Sequence, residues 1–207
     1  MNQFPSQTSG VDIKICGLRE EEHVDIAVGA GANAIGLVFV ESSPRFIERH
    51  VANQLLLQVP NDVVSVAVLQ NHTSLEDFYD WNGMLQLCGT EDEETIINIP
   101  IPVIRAFKWN RQELLRWDAC PNVHALLVDG STGGLGERFD HSEIAELIPT
   151  LSKPVIIAGG LSPANIEEVI KYSKPSGVDV SSGVESSRGV KDPYLICDFI
   201  NRVLNTN

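Results

Sequence analysis

Val11-Asp12-Ile13-Lys14-Ile15-Cys16-Gly17 alternates apolar with polar side chains and stops at a glycine. That is the pattern of a short strand that ends in a turn. A thiol at the carboxyl end of a first strand stands where parallel α/β folds place chemistry. Cys16 taken alone also fits a small buried hydrophobe. The rest of the chain decides the matter, because it repeats the strand-to-polar-loop pattern about eight times.

The repeats predict strands over Ile13–Cys16, Ala34–Phe39, Val63–Leu69, Met84–Leu87, Val103–Ala106, Ala125–Val128, Val155–Ala158 and Val178–Val180. Helical segments are expected over Glu20–Ala30, Glu48–Gln58, Ser74–Trp81, Asp92–Ile97, Gln112–Trp117, His141–Leu151, Ala164–Ser173 and Pro193–Leu204. Ser162-Pro163 and Asp192-Pro193 are helix starts with proline in the first turn. Eight such units in 207 residues fit a compact α/β fold, a single (β/α)8 TIM barrel. An open doubly wound sheet would carry a glycine-rich fingerprint after its first strand. Here that turn reads Cys16-Gly17-Leu18-Arg19. The fourth unit is the weakest, with a short helix and Pro100 and Pro102 crowding the next strand.

Residues 1–10 are read as a loose polar leader and residues 11–207 as one barrel domain. The leader has neither the basic nor the apolar segment of a signal peptide, and no run approaches the roughly 18 apolar residues of a membrane span. A formal charge of −13 argues against a nucleic-acid partner, which would call for an excess of Lys and Arg. Cys16, Cys88, Cys120 and Cys197 are widely spaced, without a metal-binding pattern. A cytoplasmic protein with reduced thiols and no metal site is expected.

Residues just after each strand of such a barrel face one shared mouth. Cys16, Arg45, Cys88 and Asp129 fall there, together with Gly159-Gly160 and Ser182-Gly183. Loops after strands seven and eight commonly cradle phosphate through bare backbone N–H groups. Either glycine pair alone is equally served by a simple turn. Asp129 suits a general acid if burial raises its pKa, or an Asx turn that closes the strand. Arg45 suits a clamp on a substrate carboxylate, or a solvated loop position. Lys14 lies two residues before Cys16, so both point to the same face. Asp179 on strand eight neighbours strand one on barrel closure. A Lys14–Asp179 pair is expected there, with the positive charge helping Cys16 to ionise.

These residues also form a family pattern. From Ile13 to Val203 the chain resembles phosphoribosylanthranilate isomerase. The resemblance is carried by Lys14-Ile15-Cys16-Gly17, Gly31-Ala32-Asn33-Ala34-Ile35-Gly36, Ser43-Pro44-Arg45 and Leu127-Val128-Asp129. Gly133-Gly134-Leu135-Gly136, Phe139-Asp140, Ala158 to Asn165 and Val178 to Glu185 complete it. It implies an Amadori rearrangement of N-(5-phosphoribosyl)anthranilate to the 1-deoxyribulose 5-phosphate product in tryptophan biosynthesis. In this resemblance Cys16 is the general base and Asp129 the general acid. Arg45 holds the anthranilate carboxylate, while Gly159, Gly160, Ser182 and Gly183 hold the phosphate. Lys14, Asp179 and Cys88 support them, and no cofactor is implied. The partner is a small sugar phosphate, and the chain is expected to be a monomer or homodimer.

The sequence departs from the family at two positions. Cys88 stands where the family usually has histidine, and His141 where it commonly has tryptophan. The stretch from Asp77 to Arg105 also matches poorly. Two alternatives follow: the histidine-pathway isomerase that performs the same rearrangement on another amine, and a catalytically silent phosphate-binding barrel. The first normally shows two catalytic aspartates and matching half-barrels. The second rests on Cys88 and the weak fourth unit.

Overall fold

The computed structural model describes residues 3–6, 10–130 and 141–206. Eight parallel strands close into a barrel in chain order. They are β1 (Asp12–Cys16), β2 (Ala34–Val38), β3 (Val64–Leu69), β4 (Met84–Leu87), β5 (Val103–Lys108), β6 (Val123–Asp129), β7 (Val155–Ala158) and β8 (Gly177–Val180). β1 closes the ring against β8, with Lys14 paired to Asp179 in the ladder. The helices between them are α1 (Glu21–Ala30), α2 (Arg49–Leu56), α3 (Glu93–Ile97), α4 (Arg111–Ala119), α5 (His141–Leu147) and α6 (Ile166–Ser173). After β8 come a small antiparallel hairpin, β9 (Glu185–Ser187) and β10 (Val190–Lys191), and the last helix α7 (Pro193–Leu204). No helix of the described residues is long and apolar enough to cross a membrane.

Two cores arise from the two-residue period of the strands. Outward positions such as Ile13, Ile15, Ile35, Leu37, Leu85, Val128 and Val178 pack with buried helix residues in one large cluster. In α6 these are Ile166, Val169 and Ile170; in α7 they are Ile196, Phe199, Ile200 and Val203. Inward positions Ala34, Val64, Val66, Met84, Ile104, Ala125 and Ile156 form a separate inner cluster. The barrel is therefore filled, and only its carboxyl end is open to chemistry.

Three expectations need correction. Residues 1–10 are not uniformly a loose leader, because Phe4 is 1% exposed and packs with the inner cluster. Its amide donates to Met84 Sδ at 3.4 Å, and the Ser6 amide donates to the buried Asp12 carboxylate. One bulky aromatic ring in a polar stretch finds the apolar interior and anchors the residues around it. Ser74–Trp81 forms a single 3-10 turn, Leu75–Phe78, rather than an α-helix. Its apolar residues Leu75, Phe78 and Trp81 recur every third position, which matches three residues per turn. Finally, α6 begins at Ile166, two residues after the expected start. Asn165 turns its side chain back, accepting from the Ser162 amide at 2.8 Å and donating to the Gly160 carbonyl at 2.9 Å.

Candidate active site

A cleft of about 430 Å³ opens at the carboxyl end of the barrel. Its wall takes Gln86 and Cys88 from the β4 end, Lys108 from β5 and Asp129 from β6. Gly159 and Gly160 follow β7, while Asp179, Ser181 and Ser182 come from β8 and its loop. A second cleft of about 930 Å³, walled by Phe39, Phe46 and Phe78, adjoins it and shares Gln70. The smaller cleft brings together Asp129, Asp179 and the glycine loops that the sequence singles out.

The expected phosphate loops meet. Gly159 and Gly160 have φ of +83° and +67°, a backbone region that glycine enters without steric cost. Around Gly160 there is room for a side chain, so its dihedral alone demands glycine. Gly183 is required for the opposite reason. A Cβ there would overlap the Leu161 carbonyl oxygen, so the β8 loop lies hard against the β7 loop. Gly183 thus shapes the cradle from behind, while Gly159, Gly160 and Ser182 line it.

The expected ion pair is present. Lys14 Nζ lies 2.9 Å from Asp179 Oδ1 and donates to Gln86 Oε1 at 2.8 Å. Gln86 Nε2 in turn donates to Cys88 Sγ at 3.3 Å. The network joins β1, β4 and β8 across the interior. Burial is the largest single influence and works against the Lys14 ammonium, but the charge and hydrogen bond of Asp179, together with the charges of Cys16 and Cys88, raise its pKa overall. Cys88 is pushed up to about 12 by burial, so its thiol is neutral near neutral pH.

Cys16 is 7% exposed and belongs to the inner cluster with Leu127 and Ala158, which both line the cleft. Its sulfur faces Gly36, the residue paired with it on β2; a Cβ there would sit 2.8 Å away. Cys16 and Asp129 therefore end β1 and β6 on inward positions, one buried beside the cleft and one lining it. Lys14 acts on Cys16 in the expected direction, toward the thiolate, but does not decide the balance. Burial is the larger influence and pushes the thiol up, although Lys14 pulls it back.

Arg45 is not a free clamp. Its Nε and Nη2 donate to Glu185 Oε1 and Oε2 at 2.6 and 2.9 Å, a bidentate fork. The Arg45 stem crosses Gly17, where an added Cβ would meet Arg45 Cδ. Glu185 Oε1 also accepts from Lys191 Nζ at 3.0 Å. Burial would raise the Glu185 carboxyl, but Arg45, the Gly189 amide and Lys191 together bring it down to about 2.

Several residues of this region escaped the sequence reading. Gln86 carried a signal, as a polar residue at an inward position between Met84 and Cys88. Lys108 carried the same one, since alternation on β5 turns it inward, opposite Asp129 in the ladder. Glu185 stood only as the last residue of a family segment, with no role, and Lys191 gave no signal, because a hairpin after the last strand looks like an ordinary charged loop. Gly133-Gly134-Leu135-Gly136 and Phe139-Asp140 lie outside the described residues, as does the side chain of His141.

Known proteins match this arrangement along nearly the whole chain. Residues 13–202 match the family described as N-(5'phosphoribosyl)anthranilate (PRA) isomerase. The N-(5'-phosphoribosyl)anthranilate isomerase of Marinomonas sp. (strain MWYL1) is 38% identical over 200 residues, 91% of this chain and 96% of its own length. The crystal structure of phosphoribosyl anthranilate isomerase from Thermotoga maritima superposes with a TM-score of 0.85 at 32% identity, covering 94% of this chain and 99% of that one. A structure of the isomerase in complex with reduced 1-(o-carboxyphenylamino)-1-deoxyribulose 5-phosphate gives a TM-score of 0.83 at 31% identity, with the same coverage. Matched over residues 13–202 by the family and along nearly the whole chain by its relatives and their structures, the chain belongs to the phosphoribosylanthranilate isomerase family.

Proposed function

We propose that the chain converts N-(5-phosphoribosyl)anthranilate to 1-(2-carboxyphenylamino)-1-deoxyribulose 5-phosphate by general acid–base catalysis. The observation that carries this reading is the single mouth shared by Asp129, the two glycine loops and the buried Cys16 beside them. Backbone N–H groups of the Gly159-Gly160 and Ser182 loops bind the phosphate, aided by the Ser182 hydroxyl. Asp129, as the acid, gives its proton to the ribose ring oxygen while the C1–O bond breaks, leaving a protonated Schiff base. Cys16, as the thiolate, removes the proton from C2, and the electrons move to give a neutral enolamine. The enol hydroxyl then loses its proton as C1 gains one, and the ketone results. Acid and base need opposite protonation states at one pH, which a carboxyl and a thiol in different surroundings can supply.

Arg45 meets the anthranilate carboxylate with the donors left outside its fork to Glu185. Lys14, Asp179 and Gln86 hold the inner wall in register, and Cys88 presents a neutral thiol to the substrate edge. The reaction runs in the cytoplasm as a step of tryptophan biosynthesis.

The test uses purified protein and phosphoribosylanthranilate generated in situ, following the loss of its fluorescence. Wild-type protein is expected to turn it over, while Cys16→Ala and Asp129→Asn each lose at least about a hundredfold in kcat. Equal rates in all three proteins would rule the mechanism out.

A further inference from the structure

We propose that Lys191, reaching in from the β9–β10 hairpin and sharing one carboxylate with Arg45, is a positioning residue that adds to Lys14 the positive charge under which Cys16 ionises. This rests on the reading of Cys16 as the base. Lys14 has its counter-ion Asp179 at 2.9 Å, which takes back part of its pull on the sulfur. On the other side of Cys16, one carboxylate serves two cations. Glu185 accepts the Arg45 fork and Lys191 Nζ together, which leaves one positive charge in excess.

Geometry ties this excess to Cys16. Lys191 is 4% exposed, and its ammonium donates to the Ser181 carbonyl at 2.8 Å and approaches Ser181 Oγ at 3.4 Å. The same Ser181 hydroxyl donates to the Cys16 carbonyl at 3.1 Å. Lys191 is thus one serine removed from the main chain that carries the thiol. All its described acceptors are oxygens, as an ammonium requires. The charged and titratable groups around the sulfur are Lys14 on β1, Asp179 on β8, Cys88 after β4 and Lys191 on β10, with Glu185 and Arg45 behind Lys191. Cys88 is neutral, and Lys14 and Asp179 oppose one another. Lys191 acts in the direction of thiolate, and its partner Glu185 is shared with Arg45. Burial lowers the Lys191 pKa, while the Cys16 and Glu185 charges restore part of it.

The experiment measures ionisation of Cys16 in the full chain without substrate. Peptide-resolved alkylation by iodoacetamide is followed across about pH 6 to 11, a span that brackets the ordinary thiol range. Lys191→Met is expected to raise the Cys16 midpoint by about one unit and to slow alkylation below the midpoint about tenfold. Lys191→Arg keeps the charge and stays near the wild-type midpoint. Glu185→Gln leaves both cations unopposed and moves the midpoint the other way, downward. An unchanged midpoint in Lys191→Met overturns the proposal. So does a shift of the same sign in Lys191→Met and Glu185→Gln, which would mean loosened packing. If Lys191→Met fails to fold, Glu185→Gln decides alone, and an unmoved or raised midpoint is fatal. The titration needs no turnover. Expected shifts combined with an active Cys16→Ala protein would defeat the catalytic reading and leave the assignment of Lys191 standing.

Discussion

Lys14 Nζ and Asp179 Oδ1 face each other 2.9 Å apart inside the barrel, on residues directly paired across the seam where β8 meets β1. The Lys14 side chain is fully buried and that of Asp179 is 8% exposed. Water cannot reach Lys14 to take the place of its partner. Lys14→Met is therefore expected to destabilise the protein by about 3–5 kcal/mol, the cost of an unpaired buried charge. Lys14→Met combined with Asp179→Leu should recover much of that loss. Urea unfolding midpoints of the three proteins check both statements.

The pH dependence of the reaction follows from Cys16. A base acts only when deprotonated, and burial places this thiol above its ordinary value near 9. In Asp129→Asn protein, where no acid proton is lost as the pH rises, the ascending limb of the residual kcat/KM is expected to continue upward through pH 9. A plateau by pH 8 would show that another group is the base.

Phe4 gives a prediction about stability alone. It is 1% exposed within the inner cluster, far in sequence from the Met84 sulfur that accepts its amide. Phe4→Ala should cost about 3–5 kcal/mol. Its effect on kcat should be small, because the ring belongs to the opposite end of the barrel from the cleft. Thermal unfolding together with steady-state kinetics separates the two effects.

Gly183→Ala tests the phosphate cradle. The new methyl group would collide with the Leu161 carbonyl and push the two loops apart. KM for the phosphorylated substrate is expected to rise at least about tenfold, or roughly 1.4 kcal/mol of binding. Weaker protection by inorganic phosphate against thermal unfolding would accompany it.

The barrel was legible because parallel strands buried on both sides carry a strong apolar signature. Met84–Leu87, Val155–Ala158 and Pro193–Leu204 fall where their residues predict. Ser162-Pro163 misled by two residues, since Asn165 spends its side chain on the Gly160–Ser162 loop instead of extending the helix. Lys14–Asp179 was readable because barrel closure makes β1 and β8 neighbours by necessity. Glu185 was not, because its partners Arg45 and Lys191 lie on separate loops whose approach no local spacing encodes. The net ionisation of Cys16 was not legible for a related reason. Lys14 is visible two residues away, whereas desolvation depends on the whole surrounding wall.

The aromatic plug at Phe4 also bears on traffic. With the floor sealed, reactant must enter and ketone must leave through one doorway. The product then competes with fresh reactant for the same vestibule, and its accumulation should throttle turnover competitively.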